Sequence, residues 1–272
     1  MHIFGISASA SRASRRTCAT MWFLLTAGML LACVASARGQ LTDNIDDMLN
    51  WCLDGKHHKS RPGPEDELHR FCSPWRERAC CTANISRALH TSSLHGFTYD
   101  HCPGRTMSAE CRWYFQRDHC FYECSPNIGP WVTKVDMKIR NERFVDVPLC
   151  ATHCTMWFEA CKRDFTCTDN WTRNFRWKNG TNHCPAGAPC FTFEQVYQTA
   201  DNFCEKVWDH SWKFTADTEP CMQLWFDPAQ GNPNDAVARI GAERVVAAGA
   251  WSLPPPAAAW LVAAALAAAA CP

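Results

Sequence analysis

The chain has 272 residues, and its 27 lysines and arginines balance 27 acidic residues, which removes the electrostatic case for a nucleic-acid partner. Nineteen cysteines set the class: all but Cys18, Cys33 and Cys271 lie between Cys52 and Cys221, and those sixteen can close into eight disulfides with no thiol left over. Such a chain belongs outside the cytosol, where thiols are not kept reduced, and its interior is stapled as well as packed.

At the start, Arg12, Arg15 and Arg16 precede an apolar run from Met21 to Val34 and the small residues Ala35-Ser36-Ala37. This is the pattern of a secretory signal peptide over residues 1–37, with an apolar run too short for a comfortable membrane span. Residues 38–248 then have the length of one domain. Leu41 to Leu53 carries Leu41, Ile45, Met48 and Leu49 at helical spacing. After the break at Pro62-Gly63-Pro64, Glu65-Asp66-Glu67 opens a short helix to Phe71. Ser108 to Phe121 and Pro148 to Phe165 read as helices, and in the second Cys150, Cys154, Trp157 and Cys161 share one stripe that bolts it to its surroundings. A short strand is expected around Arg143 to Val147 and a helix from Phe193 to Trp212. Turns are expected at Gly180 to Pro189 and Phe226 to Asn234. At the end, Ala247-Ala248-Gly249-Ala250, the spacer Trp251 to Pro256 and the apolar run Ala257 to Ala270 form a glycosylphosphatidylinositol (GPI) signal, with attachment at Ala248 and residues 249–272 discarded. The class is α+β: a disulfide-rich, helix-dominated single globular domain with few short strands and long cross-linked loops.

Cys120-x3-Cys124 and Cys150-x3-Cys154 lack the CxxC or histidine partners of a zinc site, so bridges are expected and no metal. No Gly-x-Ser-x-Gly, HExxH or glycine-rich phosphate loop supports catalysis, and no cofactor is implied. His57-His58 between Lys56 and Lys59 reads as a solvated basic patch. Sequons place glycans at Asn84, Asn170 and Asn179. Three sets at helical spacing stand out: Asp118 with Tyr122, Arg140 with Arg143, and Trp208 with Ser211 and Trp212. Together they offer flat walls, one carboxylate and two guanidinium groups, which suit a planar heterocycle bearing donors and acceptors.

Several longer motifs add to this. They are Lys56-His57-His58-Lys59 with Pro62-Gly63-Pro64-Glu65-Asp66, Ala79-Cys80-Cys81-Thr82, Tyr122-Glu123-Cys124-Ser125-Pro126-Asn127 with Gly129-Pro130-Trp131, Val147-Pro148-Leu149-Cys150, and Trp225-Phe226-Asp227-Pro228-Ala229-Gln230-Gly231-Asn232-Pro233-Asn234. On these the chain resembles the folate receptor family from about Leu41 to Arg239. The resemblance implies the folate receptor fold and the bridges Cys52–Cys80, Cys72–Cys120, Cys81–Cys124, Cys102–Cys190, Cys111–Cys161, Cys150–Cys221, Cys154–Cys204 and Cys167–Cys184. It also implies roles. Asp118, helped by Ser211, matches the acid on the pterin 2-amino group, and Arg140 and Arg143 match the arginines on the carbonyl side. Tyr122 and Trp208 match the sandwiching rings, and Trp212 stands where the family has a capping tyrosine. Phe97 matches a lining ring, and Trp177 matches a tryptophan near the glutamate tail.

Departures cluster at that tail. Thr172-Arg173-Asn174-Phe175 replaces His-Lys-Gly-Trp, keeping a cation at Arg173, and Ile139 replaces a tryptophan. The reading that follows is a monomeric, GPI-anchored cell-surface receptor, not an enzyme. It would bind folate as folic acid or 5-methyltetrahydrofolate, deliver it by endocytosis and release it at endosomal pH, with His210 as one sensor. The alternatives are a gamete-adhesion protein of the same family that binds a protein partner, or a carrier for another flat vitamin such as riboflavin.

Overall fold

The computed structural model describes residues 41–91, 94–137 and 140–252. The leader with Cys18 and Cys33, Ile139, and the tail from Leu253 onward with Cys271 lie outside the described residues. Residues 41–246 belong to one compact unit, and Ala247 to Ser252 lie outside it.

Asn44 caps α1 (Ile45–Leu49) by accepting from the amides of Asp46 and Asp47. Trp51 then leaves to form a bridge with Asn127, so the helical periodicity of Leu41 to Leu53 is realised over only five residues. The helix expected from Glu65 to Phe71 is absent. Glu65 is instead held by Lys59 at 2.7 Å and accepts from the Ala83 amide, at the start of an unforeseen helix, α2 (Ala83–Thr91). A 3-10 helix at Arg70–Trp75 takes its place.

Helix α3 (Ala109–Cys124) starts at Ser108, whose hydroxyl accepts from the Cys111 amide and donates to buried Asp164. A hairpin follows, β1 (Val132–Met137) antiparallel to β2 (Arg140–Phe144). Strand β3 (Val147–Cys150) takes the residues expected to begin the next helix, because Pro148 favours extended backbone before it. Helix α4 (Ala151–Cys161) therefore starts late; Cys150 caps it, and Cys154, Trp157 and Cys161 keep their fully buried stripe. Short antiparallel pairs come next: β4 (Phe165–Thr166) with β7 (Phe191–Thr192), and β5 (Arg176–Lys178) with β6 (Thr181–His183).

The single helix expected from Phe193 to Trp212 is broken twice. It divides into α5 (Phe193–Tyr197) and α6 (Ala200–Val207) at Gln198, where φ is 67°. A left-handed turn at Asp209 and His210 then delivers Trp212 into β8 (Trp212–Thr215), which lies parallel to β3. Helix α7 (Asn234–Ser252) ends the described chain.

The disulfides are Cys52–Cys80, Cys72–Cys120, Cys81–Cys124, Cys102–Cys190, Cys111–Cys161, Cys150–Cys221, Cys154–Cys204 and Cys167–Cys184. This is the pairing the family resemblance implies. Three of them involve α3 and two α4, with Cys111–Cys161 joining the two, so these helices form the frame. Around it the core is aromatic: Phe115 of α3 stacks on Trp171 with centroids 4.7 Å apart, and Trp75, Trp157 and Trp212 are essentially inaccessible.

Gly129 seats α1 on this frame. A Cβ there would overlap the Met48 carbonyl oxygen and lie 2.6 Å from the Met48 Cα, both backbone atoms that cannot rotate away. Gly129→Ala is expected to cost about 1–3 kcal/mol, as overpacking does. Thermal unfolding of the purified variant, with melting several degrees below the wild type, checks it.

Candidate ligand-binding site

Three elements converge. Helix α3 brings Asp118 and Tyr122, one turn apart; strand β2 brings Arg140 and Arg143; and the turn before β8 brings Trp208 and Ser211. The convergence is stitched by backbone. Asp146 and Val147, at the start of β3, donate to the carbonyls of His210 and Ser211 at 2.7 and 2.9 Å, and Val147 is paired with Trp212.

Helical spacing does not apply to two of the three sets. Arg140 and Arg143 are on a strand, where residues three apart face opposite ways. Arg140 lies over the Tyr122 ring, 5.3 Å from its centroid, and donates to the Tyr122 hydroxyl at 2.8 Å. Arg143 instead reaches the turn, donating to Asp209 Oδ2 at 2.6 Å, to the Trp208 carbonyl, to the Asp209 carbonyl and to Ser211 Oγ. Trp212 does not cap anything at the surface. It is fully buried against Phe121 and Phe144, and its Nε1 donates to Asp118 Oδ1 at 2.8 Å.

Asp118 is only 4 % exposed. Burial pushes its carboxyl up to about 7 against the pull of the Trp212 and Trp208 indoles. His119 stands 3.8 Å from its other oxygen, and burial pushes that imidazole down to about 4, so it brings no positive charge near neutrality. At the site, Arg140 Nε and Arg143 Nε have no hydrogen-bond partner among the described residues, as is also true of buried indoles elsewhere, such as Trp75 and Trp157, while the Trp208 indole faces Asp118. Unpaired buried N–H groups are costly, and this pair beside a buried acid is where a ligand can supply acceptors.

The walls are aromatic but separate. Tyr122 meets His58 and Phe144, whereas Trp208 meets Phe97, Phe115, His119 and Trp171. Phe97 also touches Trp177, which is 52 % exposed on β5. Gly96 sets that approach: its φ of 75° places it against the Gly180 carbonyl of the β5–β6 turn, leaving no room for a side chain. Phe175, the last of the four residues that depart at the tail, is buried against His101. An open cleft of about 220 Å³, lined by Leu89, His90, Arg112 and Gln116 among others, shares only Phe97 with the candidate set. Because Asp118 and Arg143 are each 4 % exposed, a ligand reaches them only when side chains move.

Sequence reasoning missed two features. Asp209 binds Arg143, Arg173 at 2.8 Å and the Asn170 amide at 2.8 Å; burial raises its carboxyl, but these partners hold it down at about 2. The signal was only an acid beside Trp208. The second is Glu123, which is inaccessible and accepts from His95 at 2.8 Å, with His58 at 3.4 Å. Burial pushes its carboxyl up, yet His95 and the neighbouring imidazoles hold it below its ordinary value. His58 is thus not part of a solvated patch: its side chain is 4 % exposed and lies behind Tyr122. His210 is exposed in its turn. Of the sequon asparagines, Asn84 and Asn179 are exposed and Asn170 is half-buried.

A buried acid, guanidinium groups and aromatic walls held by eight bridges define a disulfide-stapled ligand-binding protein. The chain belongs to the folate receptor family, whose model matches residues 51–223. It is 46 % identical to human folate receptor gamma over 216 residues, covering 78 % of this chain and 87 % of that protein. It is 44 % identical to bovine folate receptor alpha over 232 residues, covering 82 % and 95 %. The chicken riboflavin-binding protein is 31 % identical over 178 residues, covering 64 % and 71 %.

The raised Asp118 carboxyl has a sign that can be checked. Between about pH 4 and 7 the native state holds a proton that the unfolded chain has lost, so this group's contribution to stability falls as pH rises through that window. Asp118→Asn keeps an acceptor for Trp212 and removes the charge. Relative to wild type, the unliganded variant should gain stability between pH 5 and pH 8, up to the order of 3 kcal/mol if the whole shift is relieved. Urea unfolding of both proteins at the two pH values measures the difference.

Proposed function

We propose that the protein is a cell-surface receptor that binds folate and reduced folates, such as folic acid and 5-methyltetrahydrofolate, and carries them into cells by endocytosis. The observation that carries this reading is the complementarity at Asp118. A buried carboxylate asks for a ligand amino group, while the orphaned N–H groups of Arg140 and Arg143 ask for acceptors. A pterin supplies both, with its 2-amino group on one edge and its carbonyl and ring nitrogens on the other. Tyr122 and Trp208 offer its faces, and Phe97 and Trp177 lead outward toward the benzoyl-glutamate tail.

A flavin offers carbonyl acceptors and an imide N–H but no amino group for the carboxylate, and the riboflavin-binding relatives are the less similar ones. A protein partner needs no such buried polar set. Binding, not catalysis, is what these groups do. Among the described residues no helix is long and apolar enough to cross a membrane. Attachment through a lipid at Ala248 agrees with that and with the small-residue, spacer and apolar-tail pattern of residues 247–272. Glycans at Asn84, Asn170 and Asn179 and a monomeric state complete the reading.

The binding experiment is a titration with folic acid. Charge-assisted bonds lost from Asp118, with the ligand's donors left unpaired, cost roughly 2–5 kcal/mol, or tens to thousands of fold in affinity. Asp118→Ala is expected to lose that much while remaining secreted; full affinity in well-folded variant protein would remove the site. Because free Asp118 titrates at about 7, wild-type affinity should fall as pH drops from 7 toward 5, by at most about tenfold per unit. The slope should vanish in Asp118→Asn. Anchoring is tested separately: phosphatidylinositol-specific phospholipase should release the protein from cells, and resistance would exclude the GPI link.

A further inference from the structure

Two of the cations assigned to the ligand are already engaged. Oδ2 of Asp209 lies 2.6 Å from Arg143 Nη1 and 2.8 Å from Arg173 Nε. Its Oδ1 takes the Asn170 amide at 2.8 Å, so both oxygens are filled. Asp209 and His210 have φ of 54° and 59°, a left-handed pair that ordinary residues adopt reluctantly. That turn aims the carboxylate between the two arginines. The Arg173 side chain is 66 % exposed and that of Asp209 18 %, so the arginine reaches solvent while its counter-charge stays inside.

We infer that Asp209 is a specificity-determining residue: an internal carboxylate that satisfies Arg143 and Arg173 in advance and removes most of the gain a ligand would draw from an anionic tail. This rests on the folate reading. On that reading Asp118, Arg140, Arg143 and the aromatic walls hold the heterocycle, and the glutamyl carboxylates meet the Arg173 guanidinium, which already has a partner. Arg143 and Arg173 alone would present two positive charges to a dianionic tail; with Asp209 the net is one. A tail carboxylate must then share Arg173 with Asp209 or displace it, and displacement leaves Asp209 with one cation instead of two. The protein therefore recognises the flat end of its ligand and is nearly indifferent to charge at the other end.

The test compares folic acid with the N-methylamide of pteroic acid, which keeps the heterocycle and benzamide and carries no carboxylate. Both are titrated calorimetrically, at low ionic strength, into purified wild type and Asp209→Gly. Glycine holds a positive φ without strain. Asp209→Asn is unsuitable because, with Ser211, it completes an Asn-X-Ser sequon in a secreted chain. Wild type should prefer folic acid by less than about fivefold, the scale of an exposed, shared ion pair. Asp209→Gly should raise that preference to about tenfold or more, and added salt should erase the gain. An unchanged or smaller preference in the variant overturns the inference and leaves the folate reading intact. If neither compound binds wild type, both fall together. If Asp209→Gly is not secreted, Arg173→Ala decides. It should change the wild-type preference by no more than about twofold, a small part of an exposed pair, whereas loss of a tenfold preference would show Arg173 to be a free cation for the tail.

Discussion

The bridges that leave α3 constrain everything else. Cys111 ties the helix to α4, Cys120 to the Arg70–Trp75 turn and Cys124 to Cys81 ahead of α2, and all three sulfurs are inaccessible. Asp118 and Tyr122 lie between these fixed points. Cross-links of this kind act largely by restricting the unfolded chain, so they stabilise the fold without adding any contact to the site. That matters because the site itself is a liability. A buried carboxyl pushed up to about 7 and two unpaired guanidinium N–H groups subtract from the stability of the unliganded fold.

The second constraint is the parallel pairing of β3 with β8. It joins segments some sixty residues apart and sets Trp212 beside Val147, from where its indole reaches Asp118. The same pairing fixes the Trp208–Ser211 turn against the end of β2, and so decides that Arg143 faces the turn while Arg140 faces Tyr122. One short ladder thus assigns the two arginines different surroundings.

Much of this was legible in the chain. The cysteine count gave the class, the α3 helix and the cysteine stripe of α4 followed from periodicity, and the long motifs carried the family. The errors share a cause: spacing reports local geometry, and the site is held by distant pairing. Arg140 and Arg143 share a face only if the segment is helical, and the hairpin with β1 makes it a strand. Trp212 reads as the end of a helix until a left-handed turn at Asp209 and His210 places it in β8, and aspartate is a weak marker of that conformation. Lys56-His57-His58-Lys59 has the composition of a surface patch. Its second histidine is drawn inside by Glu123, 65 residues away, a partner that no local pattern announces.

The connectivity also bears on how such a chain is made. As cysteines emerge from the ribosome in order, only Cys167 and Cys184 have the next cysteine as their native partner. The other bridges skip at least one intervening thiol, and Cys102 waits 88 residues for Cys190. Pairing in order of appearance would therefore give mostly wrong links. The native set is reached by thiol–disulfide exchange among early pairings, a seconds-to-hours process that isomerases accelerate. Because Cys221 is the last of the bridged cysteines and closes on Cys150, beside the β3–β8 ladder, the candidate site is completed only once nearly the whole domain has been synthesised.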